Sequence, residues 1–340
     1  MRLERLDPEQ VDWDRLDRFP DRLVYQTREW LEFVAHTQGA EPIVAALVTG
    51  GAIVGYFTAL AYRRFGIRIL GSPMPGWTTA FMGFNLEPGV SRRAAVEALV
   101  PFAFEDLRCA HLELRDRHLS ASDLSGLGFK HTSWTGLEVD LSRSEDEIWD
   151  GLKAPCRTAV RKAARHGVTV EEATGLDFAD DYYPQLQDVF AKQALVPPYG
   201  IERIRELIRD VHPTGRLMLL RARNAEGECI ATGIFPGMNR TMHFLAGASL
   251  REHHHLRPNE ALMWEAFVRW KRRGVEACDL GGVVDYKRKW GGREVLVPFV
   301  RTSRWGPVSV MRDAAKTAHD ARQTIGGRVR FELHRLPRRG

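Results

Sequence analysis

The chain has 340 residues, of which 44% are apolar and 27% charged, and it carries a formal net charge of +5. That profile fits a globular protein with a substantial core and, at this length, two domains. It excludes a membrane-embedded chain, since no stretch approaches the roughly 18 apolar residues that a spanning helix needs. The charged start MRLERLDPEQ does not read as a signal peptide, so a cytoplasmic protein is expected. The four cysteines, Cys109, Cys156, Cys229 and Cys278, are scattered without metal spacing and read as reduced thiols. Residues 1–140 hold 15 basic and 19 acidic residues, a balance of −4, whereas residues 141–340 hold 34 and 25, a balance of +9. A basic second half suits a polyanionic or phosphorylated partner, such as nucleic acid, a nucleotide, coenzyme A or a phospholipid surface.

The predicted elements fall into two similar α/β units. In the first, the segment TREWLEFVAH reads as a helix with Thr27 as N-cap. Apolar runs at residues 43–48, 53–59 and 67–70, broken by Gly50-Gly51 and Arg63-Arg64, predict a small antiparallel sheet. A Pro/Gly-rich loop from Gly71 to Phe84, a helix over 91–107, a strand over 111–116 and an apolar segment over 124–131 complete a unit of residues 1–141. The second unit, residues 142–306, opens with a helix over 144–165 whose capping box pairs Ser144 with Glu147 and which Pro155 kinks or divides. Helices over 182–194 and 201–211 follow, then strands over 217–222, 229–235 and 241–248. A helix over 259–273, a strand over 275–280 and a last strand over 295–302 close it. Residues 307–340 form a basic helix or tail, with eight Lys or Arg against three Asp or Glu from Gly306 onward. Strands joined by hairpins outnumber crossovers, so each unit is expected to be a mixed, mostly antiparallel sheet flanked by helices.

The segment DLGGVVDYKRKWGG, Asp279 to Gly292, is the most chemical part of the chain. Glycines at a strand end let the backbone turn or approach a ligand, and Lys287 can meet a negative charge that develops on a substrate; a basic surface turn has the same composition. Arg157, Arg161 and Arg165 fall at i, i+4 and i+8 on one helix face, a row suited to phosphates or simply to solvent. His253, His254 and His255 are consecutive and lack partner spacing, so no metal site is expected.

Three segments carry a resemblance. Gln26 and Trp30 in YQTREW match a Gln-x-x-x-Trp entry. Arg157, Arg161, Ala163, Gly167 and Val168 match an Arg-x-x-x-Arg-x-Ala-x-x-x-Gly-Val element. The stretch from Arg257 to Gly292 matches a helix, Gly, strand, Asp-x-Gly-Gly, aromatic-Lys ending. In order and spacing the chain resembles the Fem family, aminoacyl-tRNA-dependent transferases built from two lobes of the GNAT acyltransferase fold. It departs from that family's Pro-Arg-Gly-Pro type loop at 71–84 and has no heptad-bearing insertion, which turns the expected acceptor away from the usual cell-wall precursor.

The resemblance implies transfer of an aminoacyl group from aminoacyl-tRNA to a small-molecule or peptide amine, without a bound cofactor. It implies Lys287 as the oxyanion-stabilising cation, with Tyr286 as a wall and Asp285 or Asp279 near the amine's proton. Trp30, Trp77, Tyr199 and Trp264 are expected to line the substrate site, and Arg157, Arg161, Arg165, Arg288 and Lys289 to meet tRNA phosphates. Two alternatives stay open: an acyl-CoA-dependent N-acyltransferase and a non-catalytic double-GNAT module that binds RNA or a partner. The stretch from Arg251 to Trp264 holds no glycine, so the Gly-rich turn that cradles a CoA pyrophosphate in GNAT enzymes is missing.

Overall fold

The computed structural model describes residues 1–308 apart from Phe65, Pro75, Gln193 and Ala194. The basic tail beyond residue 308, and the expected helix end at Ala194, lie outside the described residues. In chain order the first half comprises β1 (Arg2–Arg5), α1 (Trp13–Asp17), α2 (Arg28–Gln38), β2 (Glu41–Thr49), β3 (Ala52–Arg64), β4 (Ile67–Ser72), β5 (Gly83–Leu86), α3 (Arg92–Pro101), β6 (His111–Leu114), α4 (Ala121–Leu124) and β7 (Lys130–Asp140). The second comprises α5 (Glu145–Gly151), α6 (Ala154–Arg165), β8 (Thr169–Glu172), α7 (Phe178–Ala191), α8 (Ile201–Val211), β9 (Leu217–Arg223), β10 (Cys229–Met238), β11 (Thr241–His243), β12 (Ala246–Ser249), α9 (Pro258–Arg272), β13 (Ala277–Gly282) and β14 (Arg293–Ser303).

Local chemistry sets several boundaries as the residues predict. Thr27 Oγ1 accepts from Trp30 N at 3.4 Å at the start of α2, and Gly39 ends that helix at φ +63°. Ser144 and Glu147 form the capping box of α5. Pro155 divides the expected 144–165 helix: α5 stops at Leu152, and α6 restarts with Pro155 in its first turn, where a missing N–H costs nothing. The expected strand over 241–248 is two strands, β11 and β12, which part company at Phe244.

The two expected sheets are fused into one mixed sheet of 14 strands, ordered β1-β2-β3-β4-β6-β14-β7-β13-β11-β10-β9-β8, with β5 on β3 and β12 on β10. The seam is interleaved. β14, from the end of the chain, lies between β6 and β7, pairing Val300 with Leu114 on one side and Val297 with Trp134 on the other. One core, between β2, β3, β6 and α3, holds Phe57, Phe84 and Phe102; another, under α6 and α9, holds Leu220, Phe235 and Phe267. The third joins both halves, bringing Trp30 and Phe33 of α2 together with Tyr182, Leu207 and Leu219.

A buried guanidinium locks this joint. Arg22 is 0% exposed; Nε donates to Asp17 Oδ1 at 2.8 Å, Nη1 to Asn85 Oδ1 at 3.2 Å and Nη2 to Gln26 O at 2.6 Å. Burial lowers its pKa to about 10 while Asp17 opposes that fall. Asp17 also accepts from Arg216 of the second half at 2.5 Å. Asp17→Ala therefore strands a buried charge and is expected to cost about 3 kcal/mol in urea unfolding; a loss below about 1 kcal/mol would show that the Asn85 and Gln26 oxygens, not Asp17, carry the Arg22 charge.

Candidate active site

The site begins where two parallel strands separate. β11 pairs with β13 through Thr241 and Ala277, Met242 and Cys278, and His243 and Asp279. Phe244 N still donates to Asp279 O at 2.8 Å, but Leu245 N turns away to Ile234 O at 3.1 Å, and β12 then pairs only with β10. The opened wedge is a cavity of about 320 Å³ between β10, β12, the start of α9 and the loop after β13, lined by Thr232, Phe244, Ser249, Asn259, Glu260 and Tyr286 among others. Its polar groups are mostly neutral and already ordered: Asn259 Nδ2 donates to Ser249 Oγ at 3.0 Å, His254 Nε2 lies 2.8 Å from the same oxygen, and Thr232 Oγ1 donates to Gln185 Oε1 at 2.8 Å. Glu260, 8% exposed in the first turn of α9, accepts from Lys289 at 2.7 Å. A carboxylate there complements the positive end of the helix from within the chain. Arg257, exposed at the rim, holds φ +64°, a left-handed conformation that is costly for a residue with a Cβ.

The Lys287 loop is pinned at both ends. Gly281, at φ +75°, turns the chain at the end of β13, and Asp279 Oδ1 accepts from Gly281 N at 2.7 Å. Residues Asp285–Trp290 form a 3-10 turn that ends on buried Trp290, edge-on to Phe267 at 5.4 Å. Gly291 follows at φ +74°; a Cβ there would run into the Gly151 carbonyl, so only glycine lets the loop dock on the α5–α6 elbow. Lys287 is half-buried. Its Nζ donates to Leu280 O at 2.5 Å and to Gly282 O at 3.4 Å, and lies 5.6 Å from the centroid of Phe244, a cavity wall. Burial lowers its pKa, and the charge of Asp279 opposes that.

Behind the lysine lies an ionic knot. Asp279 Oδ2 is 3.5 Å from both Arg117 Nη1 and His243 Nδ1, while Arg117 also pairs with Glu138, and Arg293 with Glu138 at 2.8 Å. Burial alone would raise the Asp279 pKa, but His243, Arg117 and the Gly281 amide together bring it below the usual carboxylate value. Burial pushes His243 below its usual value, with Asp279 opposing. Tyr25 packs on this ring, centroids 4.6 Å apart.

The expected site residues scatter around this centre. Tyr286 lines the cavity at 58% exposure, and Asp285 is exposed on the same turn. Trp77 and Tyr199 are brought together through Arg203, whose Nη2 donates to Trp77 O at 2.9 Å and whose guanidinium sits 5.8 Å from the Tyr199 ring. Trp30 does not line a substrate site: it is 0% exposed, and its Nε1 donates to Thr79 Oγ1 at 3.0 Å, so it anchors the 71–84 loop as a core residue. Trp264 packs edge-on to Trp149 at 4.9 Å on the outer side of α9, while its neighbours Leu262 and Met263 face the cavity. Arg157 is taken up in closing the elbow, donating to Asp150 O at 2.9 Å and to Leu152 O. Arg161 stacks on Trp149, and Arg165 is exposed farther along α6. Arg288 pairs with Glu294 at 2.6 Å. The three histidines go to three partners: His253 to Glu228, His254 to Ser249 and His255 to Glu252 O.

Sequence reasoning passed over His243, Phe244, Glu260 and Arg117. Their only signal was position, opposite or beside Asp279 and at the start of α9. His243 yields a prediction with a definite sign. The unfolded chain takes up a proton near pH 6.5 that the buried ring resists, so stability is full above that pH and falls as pH drops below it. In His243→Gln the slope of unfolding free energy between about pH 7 and 5 is expected to flatten, and an unchanged slope would contradict this burial effect.

No curated protein matches the chain. Residues 152–288 match the acetyltransferase (GNAT) domain family. Among solved structures, one titled as the crystal structure of FemX aligns over 88% of this chain and 97% of its own, at 14% identity and a TM-score of 0.70. L-PGS from Bacillus licheniformis aligns over 84% and 95%, at 12% identity and 0.53. A tandem GNAT protein from the clavulanic acid biosynthesis pathway aligns over 89% and 98%, at 14% identity and 0.50. At these identities the likeness is one of fold. The residues that match the acetyltransferase (GNAT) domain family, 152–288, include the opened strand pair and the helix that starts beside it, and the fold around them is shared with FemX along most of the chain.

Proposed function

We propose that the protein transfers an aminoacyl group from aminoacyl-tRNA to an amine, forming an amide. The observation that carries this reading is the character of the cavity beside α9. At the helix start, where a CoA pyrophosphate would need free amides and a free cation, the first turn already holds the closed Glu260–Lys289 ion pair. The interior offers Ser249, Asn259 and Thr232, neutral groups suited to a ribose and its ester, and Arg257 stands at the rim, where a phosphodiester would pass. The solved structures titled FemX and L-PGS share the fold, and the reading places this chain's chemistry alongside them.

In this reading the amine attacks the ester carbonyl, a C–N bond forms, and negative charge gathers on the carbonyl oxygen. Lys287 Nζ, held 2.5 Å from Leu280 O beside the cavity wall, turns one of its three N–H bonds to that oxygen. Its lowered pKa makes it the stronger donor. The C–O bond to the ribose then breaks, and the proton lost by the amine ends on the departing hydroxyl. Asp279 orients the turn through Gly281 N, and Tyr286 forms the exposed wall. Asp285, exposed on the same turn, is placed in this reading to receive the amine's proton in passing. Arg161 and Arg165 extend the cationic surface along α6 toward the RNA backbone. Residues 1–141 act as the acceptor-binding lobe and 142–306 as the donor lobe.

Purified protein offered charged tRNA, deacylated tRNA and acetyl-CoA with a panel of amines tests the reading. Transfer from charged tRNA that RNase abolishes supports it, and transfer from acetyl-CoA alone would overturn it in favour of a CoA-dependent acyltransferase. Lys287→Ala is expected to lower turnover roughly a hundredfold, the scale of one oxyanion donor, with folding unchanged; turnover near wild type would remove Lys287 from the chemistry.

A further inference from the structure

Arg115 follows β6 and lies on the same sheet face as Trp134 of β7 and Phe299 of β14. Its guanidinium carbon is 5.4 Å from the Trp134 ring centroid and 4.9 Å from that of Phe299. The two charges that follow it in sequence are matched. Asp116 accepts from Arg92 at 2.6 Å, and Arg117 binds Glu138 and approaches Asp279. Arg115 is the exception: among the described residues it forms no ion pair, and its Nε is buried without a hydrogen-bond partner. Burial depresses its pKa, and the charges of Glu113 and Asp279 oppose this. A half-buried cation without a counter-ion is unfavourable in the free protein and favourable once an anion arrives. Ring stacking occupies the faces of a guanidinium, and with Nε buried it is the terminal Nη1 and Nη2 groups that remain to bind a carboxylate or phosphate with two bonds.

The place of this side chain gives it a substrate. Trp134, against which Arg115 stacks, also borders the lysine loop: a Cβ on Gly282 would lie 3.9 Å from Trp134 Nε1, and Gly282 O accepts from Lys287. Arg115, just after β6, thus lies on the face of an indole whose edge borders Gly282, the residue whose carbonyl accepts from Lys287 on the loop after β13. Val284 and Tyr286, 44% and 58% exposed, extend an apolar surface beside them.

We propose that Arg115 is the recognition point for an acidic group, carboxylate or phosphate, on the same molecule whose amine is acylated beside Lys287. This rests on the acyl-transfer reading for the identity of the acceptor, and it narrows that acceptor from any amine to an amine that also carries an oxyacid.

The test is binding, read without donor or turnover. The full chain is titrated calorimetrically with lysine and with cadaverine, which lacks the carboxylate, and with phosphoethanolamine and with ethanolamine, which lacks the phosphate. The wild-type protein is expected to bind the acidic member of at least one pair about tenfold more tightly, the scale of one charge-assisted bidentate contact, and the pair that responds identifies the oxyacid. Arg115→Met, which fills the slot between the rings without charge, loses the preference. Arg115→Lys, which keeps the charge without the fork, retains part of it and serves as readout if the methionine variant fails to fold. Equal affinities within both pairs, no binding of any acidic probe at millimolar concentration, or a preference that survives in Arg115→Met would each overturn the assignment. A negative result here leaves the transfer assay standing, and a failed transfer assay leaves this binding result standing.

Discussion

The separation of two strands at Phe244 is the constraint on which the rest depends. One hydrogen bond, Phe244 N to Asp279 O, is the last that joins β11 to β13; beyond it the backbone of the 245–249 segment satisfies its donors on β10 instead. The cavity opens beyond it, with Phe244 as one wall. On the other side of β13 the register with β7 shifts between Asp279 and Gly282, and in that stretch Lys287 Nζ donates to Leu280 O and Gly282 O. The end of β13 therefore borders the cavity through Phe244 and holds the cation behind that wall. The cost of holding a half-buried ammonium is met by two carbonyl dipoles, the face of Phe244 and the nearby charge of Asp279.

Electrostatic surplus in the second half is mostly committed rather than free. Lys289 is spent on Glu260, Arg288 on Glu294, and Arg157 on the carbonyls of the α5–α6 elbow. Arg161, Arg165 and Arg257 are among the cations that remain toward solvent. The paired residues instead fix geometry. Lys289 holds the first turn of α9 against the lysine loop, and Lys153 N donating to Lys289 O at 3.0 Å ties that loop to the elbow. Arg203 plays a similar part across the halves, joining the Trp77 loop to α8.

Much of this was legible in the residues because it is local. Thr27, Ser144 with Glu147, Pro155 and the glycines that flank the lysine loop act within one turn of chain, and their chemistry does not depend on what packs beside them. What escaped was set by distant partners. The run from Thr241 to Ala248 is uniformly suited to a strand, and only the competition between β10 and β13 for its donors shows that it breaks. The placing of β14 between β6 and β7 depends on a register between segments far apart in sequence, which alternation of apolar residues cannot encode. Trp30 sits in the segment that suggested a substrate contact, yet its helix faces the joint core, so position along the chain misled where burial decides. Arg115 gave no signal at all, because a guanidinium lacking a partner can be recognised only once every neighbouring acid has been assigned one.

The most direct measurement of the central claim is a crystal structure of the protein with a stable amide analogue of an aminoacyl-adenosine. The account predicts the adenosine in the wedge between β12 and the start of α9, with its acyl carbonyl oxygen about 3 Å from Lys287 Nζ, which has left Leu280 O to reach it. An analogue bound elsewhere, or one bound in the wedge with Lys287 still turned to Leu280 O, would contradict it.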